Sequence, residues 1–138
     1  MIHVELGRQL MVIVNNKVGT LAEITSIIAS SRIDLIAICA YAVNDTVSVM
    51  FVSDDNNEAK RLLEARKYKV QEEEIVLLSM DNKPGTLQTI TKRIAQAGID
   101  LRLIYGSVHQ DAEICRLVMI SSHNLDVTML IKTEFERI

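Results

Sequence analysis

Asp81-Asn82-Lys83-Pro84-Gly85-Thr86-Leu87 is the stretch from which the rest of the chain can be read. Before it runs Ile75-Val76-Leu77-Leu78-Ser79-Met80, a continuous apolar segment of strand length. After it, Leu87, Ile90, Ile94 and Ala97 recur at helical spacing. The stretch is therefore predicted to be a tight loop between a strand and a helix. Pro84 suits the first helical position, where a missing N–H is no loss. Gly85 lets the backbone be approached closely, by a packed strand or by a ligand. The free N–H groups of a helix start, with the positive end of its dipole, make a seat for a carboxylate or phosphate.

The stretch occurs twice. At an offset of 66 residues Asn16, Lys17, Gly19, Thr20 and Leu21 match Asn82, Lys83, Gly85, Thr86 and Leu87. Ile24, Ile28 and Ile33-Asp34-Leu35 match Ile90, Ile94 and Ile99-Asp100-Leu101. Later the offset becomes 68, which lays Val49–Ser53 on Leu117–Ser121 and places two extra residues around His109 to Ala112. A period of this length is a small-domain duplication, longer than the usual solenoid repeats.

In order, the first copy reads as a strand over Leu10–Val14, the loop, a helix with Leu21, Ile24, Ile27 and Ile28 facing inward, and a strand over Ile33–Val43. A turn at Asn44-Asp45, a strand over Thr46–Ser53, a helix over Asn57–Arg66 and a strand over Tyr68–Glu73 follow. Ile2, Val4 and Leu6 alternate as a short N-terminal extension that Gly7 is expected to break. The order is β-α-β-β-α-β, so the predicted fold is α+β: two tandem ferredoxin-like units, 1–72 and 73–138. Each has an antiparallel sheet, right-handed crossovers and helices on one face. In the second copy Asn124–Phe135 is assigned to a helix, and the chain ends where the last strand should begin, so that strand is short or missing. The N-terminal extension or a partner chain would have to fill the open edge.

Composition narrows the function classes. The 138 residues are 49% hydrophobic and 24% charged, a globular balance, and the net charge of −3 offers no basic footprint for nucleic acid. The apolar runs are too short to cross a membrane, which takes about 20 residues. Met1–Glu5 lacks the pattern of a secretory signal. Cys39 and Cys115 lie in apolar segments and are read as buried reduced thiols, as in a cytoplasmic protein. His3, His109 and His123 have no metal-ligand spacing, and no nucleophile–base pair is legible, so neither metal nor catalytic residue is assigned.

A strand, then Asp-x-x-Pro-Gly-x-Leu opening a helix, then Gly-Ile-Asp-Leu opening a strand resembles the ACT domain family. Asp81, Pro84, Gly85, Leu87 and Gly98–Leu101 carry the pattern in the second copy; Asn15, Gly19, Leu21 and Ile33–Leu35 carry it in the first. Val18 stands where the pattern has proline, and Arg32 where it has glycine. The resemblance covers about Gln9 to Phe135. It implies a regulatory, non-enzymatic protein that binds an amino acid or similar small ligand without a cofactor. The ligand would lie between two such units, held by the loop of one and strand residues of its neighbour.

The candidate ligand-binding residues are therefore Asp81, Pro84, Gly85, Thr86 and Leu87, with Asn15, Val18, Gly19, Thr20 and Leu21. N–H groups at 19–21 and 85–87 would hold the carboxylate, and Asn15 or Asp81 would accept from the ammonium. Asp81 serves equally as a helix cap, and both glycines as packing positions. Binding would act in trans on a partner enzyme or regulator. The alternative is a ligand-free dimerisation module or an enzyme's regulatory subunit. A homodimer is expected from the open sheet edges.

Overall fold

The computed structural model describes residues 1–107 and 110–136. Its elements are β1 (Ile2–Asn15), α1 (Thr20–Ala29), β2 (Leu35–Val43), β3 (Thr46–Ser53), α2 (Asn56–Ala65), β4 (Val70–Asp81), α3 (Thr86–Gln96), β5 (Leu101–Ser107), β6 (Ile114–Ser121) and α4 (Asn124–Glu134). They form two compact units, Arg8–Glu73 and Met1–Gly7 with Glu74–Ile138. The first seven residues go with the second unit.

In the unit Arg8–Glu73 the strand order is β2-β3-β1-β4. Antiparallel pairing sets Leu10 opposite Phe51, Val12 opposite Val49 and Val14 opposite Val47. Alternate residues share a face, and this one is apolar because it is buried: Leu10, Val12, Val49 and Phe51 pack with Ile24, Ile27 and Ile28 of α1 and Ala59 and Leu63 of α2. Both helices therefore lie on the same side of the sheet. The helical face expected to include Leu21 begins one turn later; Leu21 is exposed. Asp55 caps α2, its carboxylate accepting from the Glu58 N–H at 3.1 Å.

The second unit repeats this register. Val76 faces Met119, Leu78 faces Leu117 and Met80 faces Cys115, each pair displaced from its first-unit counterpart by 66 and 68 residues. Ile90 and Ile94 of α3 and Val127 and Ile131 of α4 close that core. The segment assigned to a helix from Asn124 is one. Of the two inserted residues expected near His109–Ala112, residues 108–109 lie outside those described, as do 137–138 at the expected start of a last strand.

The strand order here is β5-β6-β4-β1, so the outer place beside β4 is taken by the start of β1. The Asp81 N–H donates to the Met1 carbonyl at 3.0 Å, and the Gly7 Cβ position would lie 3.7 Å from the Ile75 side chain, so the two run antiparallel. Val4, fully buried, joins the second core. The N-terminal extension thus fills the edge beside β4, where a last strand of the unit would lie. Gly7 does not break β1: a ladder partner holds the backbone extended against glycine's entropy.

A side-chain clamp, unforeseen from sequence, appears in both units. Asn56 Oδ1 accepts from the Ser53 N–H at 3.0 Å and from Ser53 Oγ at 2.7 Å, while its Nδ2 donates to the Arg8 carbonyl at 2.9 Å. Asn124 does the same with Ser121, at 2.8 and 3.0 Å, and with the Glu74 carbonyl at 3.2 Å. Each clamp ties the end of a strand and the start of a helix to a neighbouring strand. Asn56→Ala leaves the buried Ser53 without its acceptor, and we expect it to cost about 1–3 kcal/mol in urea denaturation, with Asn124→Ala similar through Ser121.

Candidate functional site

Each strand-to-helix loop is a hydrogen-bonded turn. In the first, the Thr20 N–H donates to the Lys17 carbonyl at 3.2 Å, and Gly19 has φ 88° and ψ −5°. In the second, the Thr86 N–H donates to the Lys83 carbonyl at 3.2 Å, and Gly85 has φ 90° and ψ −15°. A positive φ at the third residue defines a type II turn and selects glycine there. Pro84 sits at the second turn position, not at the first helical one as expected; its fixed φ serves the turn. Val18, fully exposed, occupies the same place without changing the turn. Likewise Arg32, with φ 57°, keeps the left-handed conformation of Gly98, with φ 74°.

The turn decides which donors are open. Thr20 and Thr86 spend their N–H groups inside it, and those of Glu23 and Thr89 donate to the carbonyls of Gly19 and Gly85. Among the described residues the N–H groups of Gly19, Leu21 and Ala22 make no backbone hydrogen bond, and neither do those of Gly85, Leu87 and Gln88. Of each expected trio, 19–21 and 85–87, two donors remain, and the next residue supplies a third.

The flanking side chains differ between the units. Asp81 makes no cap hydrogen bond to α3; its carboxylate takes the N-terminal ammonium of Met1. That bond, with Coulombic help from the same ammonium and from Lys83, holds the carboxyl below the usual range. His3 Nδ1 lies 3.1 Å from Glu136 Oε1, whose other carboxylate oxygen accepts from the Val4 N–H at 3.3 Å.

In the unit Arg8–Glu73 a cavity of about 480 Å³ opens beside the first loop. Asn15, Lys17 and Thr20 form one wall, and Lys67, Tyr68 and Lys69, on the approach to β4, form another. The Tyr68 phenol is pushed up from its ordinary value, first by burial and then by its hydrogen bond with Glu23, which also lines the cavity. Asn15, Thr20 and the turn carrying Val18 and Gly19 thus come together with residues some fifty positions later. Only the pairing of β1 with β4 brings Lys67 and Lys69 to the loop, and no local periodicity carries that signal.

Among the described residues no group of His, Cys, Asp and Glu has the arrangement to hold a metal ion. Among those residues no helix is long and apolar enough to cross a membrane. Both cysteines are free thiols; Cys115 is buried, which raises its thiol, but Cys39, on the edge strand β2, is only half-buried, not buried as expected.

Residues 6–132 match the family described as ACT domain pair. No curated protein matches the sequence. Among solved structures, a Bacteroides thetaiotaomicron protein is similar with a TM-score of 0.85 at 24% identity, over 95% of this chain and 89% of that one. The regulatory subunit of aspartate kinase from Thermus thermophilus, in a ligand-free form, has a TM-score of 0.65 at 16% identity, over 96% and 97%. E. coli aspartokinase III in complex with lysine and aspartate has a TM-score of 0.53 at 18% identity, over 96% of this chain and 33% of that one.

The two turns yield a direct test. Val18→Pro makes the first match the second and restricts the unfolded chain, so it should stabilise the protein by about 0.4–1 kcal/mol in urea denaturation.

Proposed function

This chain belongs to the ACT domain pair family, and from that premise we propose that it is a non-catalytic regulatory protein that binds an amino acid or similar small molecule. The observation that carries the reading is the cavity beside the Asn15–Leu21 turn, lined by Asn15, Lys17 and Thr20 of a turn and helix start whose Gly19, Leu21 and Ala22 N–H groups are open. Gly19, Leu21 and Ala22 would take a carboxylate at the positive end of α1. Asn15 and Thr20 would orient the rest, and Val18 would form the outer rim. Asp81, Pro84, Gly85, Thr86 and Leu87 would form a second seat, in which the Met1 ammonium now occupies the place of a ligand's amino group on Asp81. Occupation of either seat would bias how subunits pair, so that the output passes to a partner enzyme or regulator. The solved regulatory subunit of aspartate kinase is consistent with such a role. Two free thiols fit a reducing, cytoplasmic setting.

Thermal melts with each of the common amino acids test this. A true ligand at a hundred times its Kd adds about 2.7 kcal/mol of stability, and Gly19→Asp, which sets a carboxylate in the anion seat, should abolish the gain. No shift with any of them would sink the amino-acid reading.

A homodimer has its own observation. β2, Leu-Ile-Ala-Ile-Cys-Ala-Tyr-Ala-Val, is an edge strand without a charge, proline or glycine. Edges are normally blunted by such residues, whereas β5 carries Arg102 and Gly106. Two copies of β2 can pair about a two-fold axis with no charge to oppose. This same edge is what a ligand-free dimerisation module would use. Light scattering should show a dimer at micromolar concentration that Tyr41→Lys converts to a monomer; a wild-type monomer would remove the idea.

A further inference from the structure

We propose that the cavity in the unit Arg8–Glu73 takes a small molecule carrying at least two negative charges, a dicarboxylate or a phosphate compound. This rests on the reading that the Asn15–Leu21 turn is a ligand seat and adds the class of ligand.

Lys17 comes from the loop, and Lys67 and Lys69 come from the segment between α2 and β4; all three line the same cavity. Their ammonium groups make no ion pair or hydrogen bond among the described residues. By contrast Lys60, nearby on α2, is held by Glu72 at 3.4 Å, and Arg8 by the same carboxylate at 3.0 Å. Glu23 is the one acid lining the cavity, and its carboxylate is engaged by Tyr68. Three ammonium groups against one carboxylate leave a surplus of two positive charges at this place, in a chain whose net charge is −3. The local field therefore runs against the sign of the whole molecule.

Backbone geometry adds to this. Lys67 has φ 67°, a left-handed conformation at the end of α2 where glycine is the relaxed choice. A lysine kept there at a conformational cost indicates a role for its side chain. The second unit supplies the contrast. At the repeat offset Phe135 stands in place of Lys67, and Glu136 in place of Tyr68. By sequence Lys83 and Arg137 match Lys17 and Lys69, but Asp81 and Glu136, in place of Asn15 and Tyr68, set two carboxylates against them. The duplicated loops therefore do not share this surplus of positive charge.

A neutral amino acid fits the seat poorly. Whichever way it lies, its ammonium shares the cavity with three lysines. A second carboxylate or a phosphate pairs with those lysines instead, as charge-assisted hydrogen bonds favour.

Isothermal titration of the full chain with succinate, aspartate and inorganic phosphate, against leucine and lysine, decides the matter. Succinate and phosphate should bind at least about tenfold tighter than leucine or lysine, and more weakly as salt screens the lysines. Phosphate tighter than succinate assigns a phosphate compound; the reverse assigns a dicarboxylate. The double variant Lys67→Gln, Lys69→Gln should weaken succinate roughly tenfold, while Lys132→Gln, an exposed lysine of α4, changes nothing. Lys67→Gly removes the charge and relieves the backbone, so it should melt higher yet bind more weakly, a combination no structural role produces. Leucine or lysine binding as tightly as succinate, unchanged by the lysine variants, would overturn the dianion and leave the small-ligand reading standing. No binding of any of these and no thermal shift with any amino acid would overturn both.

Discussion

A sheet edge leaves a row of backbone N–H and C=O groups without partners, and this constraint organises the chain. The unit built on Glu74–Glu136 makes three strands and two helices of its own and then has no fourth strand among its described residues. Its open edge, beside β4, is taken by Ile2–Gly7. The backbone gains a ladder partner, and Val4 gains a place in the core. Were that edge left open, Val76, Leu78 and Met80 would lie beside an exposed margin and the unit would be prone to association. The other unit needs no such help, because Val70–Glu73 completes it.

From this follows the inequality of the two loops. Both are the same type II turn with glycine in the left-handed position, and both aim the start of a helix outward with donors open. The strand beside each loop decides what faces it. Where β4 completes the sheet, its approach brings Lys67, Tyr68 and Lys69 to the loop and encloses a cavity. Where the N-terminus completes it, Met1 arrives at Asp81 and its ammonium neutralises that carboxylate. One duplicated turn thus acquires two electrostatic settings.

Much of the fold was legible because periodicity and repetition agree. The offsets of 66 and 68 residues read from the sequence reappear as the pairing of Leu10 with Phe51 and Val76 with Met119. The helix at Asn124 was legible through its match to the first copy, where alternation of Leu125, Val127, Met129 and Ile131 alone pointed to a strand. Misreadings were local. Pro84 suits either a helix start or a turn, and only the Lys83–Thr86 hydrogen bond chooses. Gly7 weakens a strand in isolation, and only a ladder partner keeps β1 whole.

By itself the sequence determined the duplicated unit, the turn at each loop and the apolar faces of strands and helices. These depend on φ preferences and on spacings of a few residues, which neighbouring side chains carry. Only the tertiary structure decided which strand closes each sheet and which side chains stand across from each loop. Those choices rest on the pairing of β1 with β4, segments some fifty to eighty residues apart, which sets Lys17 and Lys67 on one cavity and Met1 against Asp81. Chain closure at that separation is imposed by the need to pair an edge, and no short-range pattern records it.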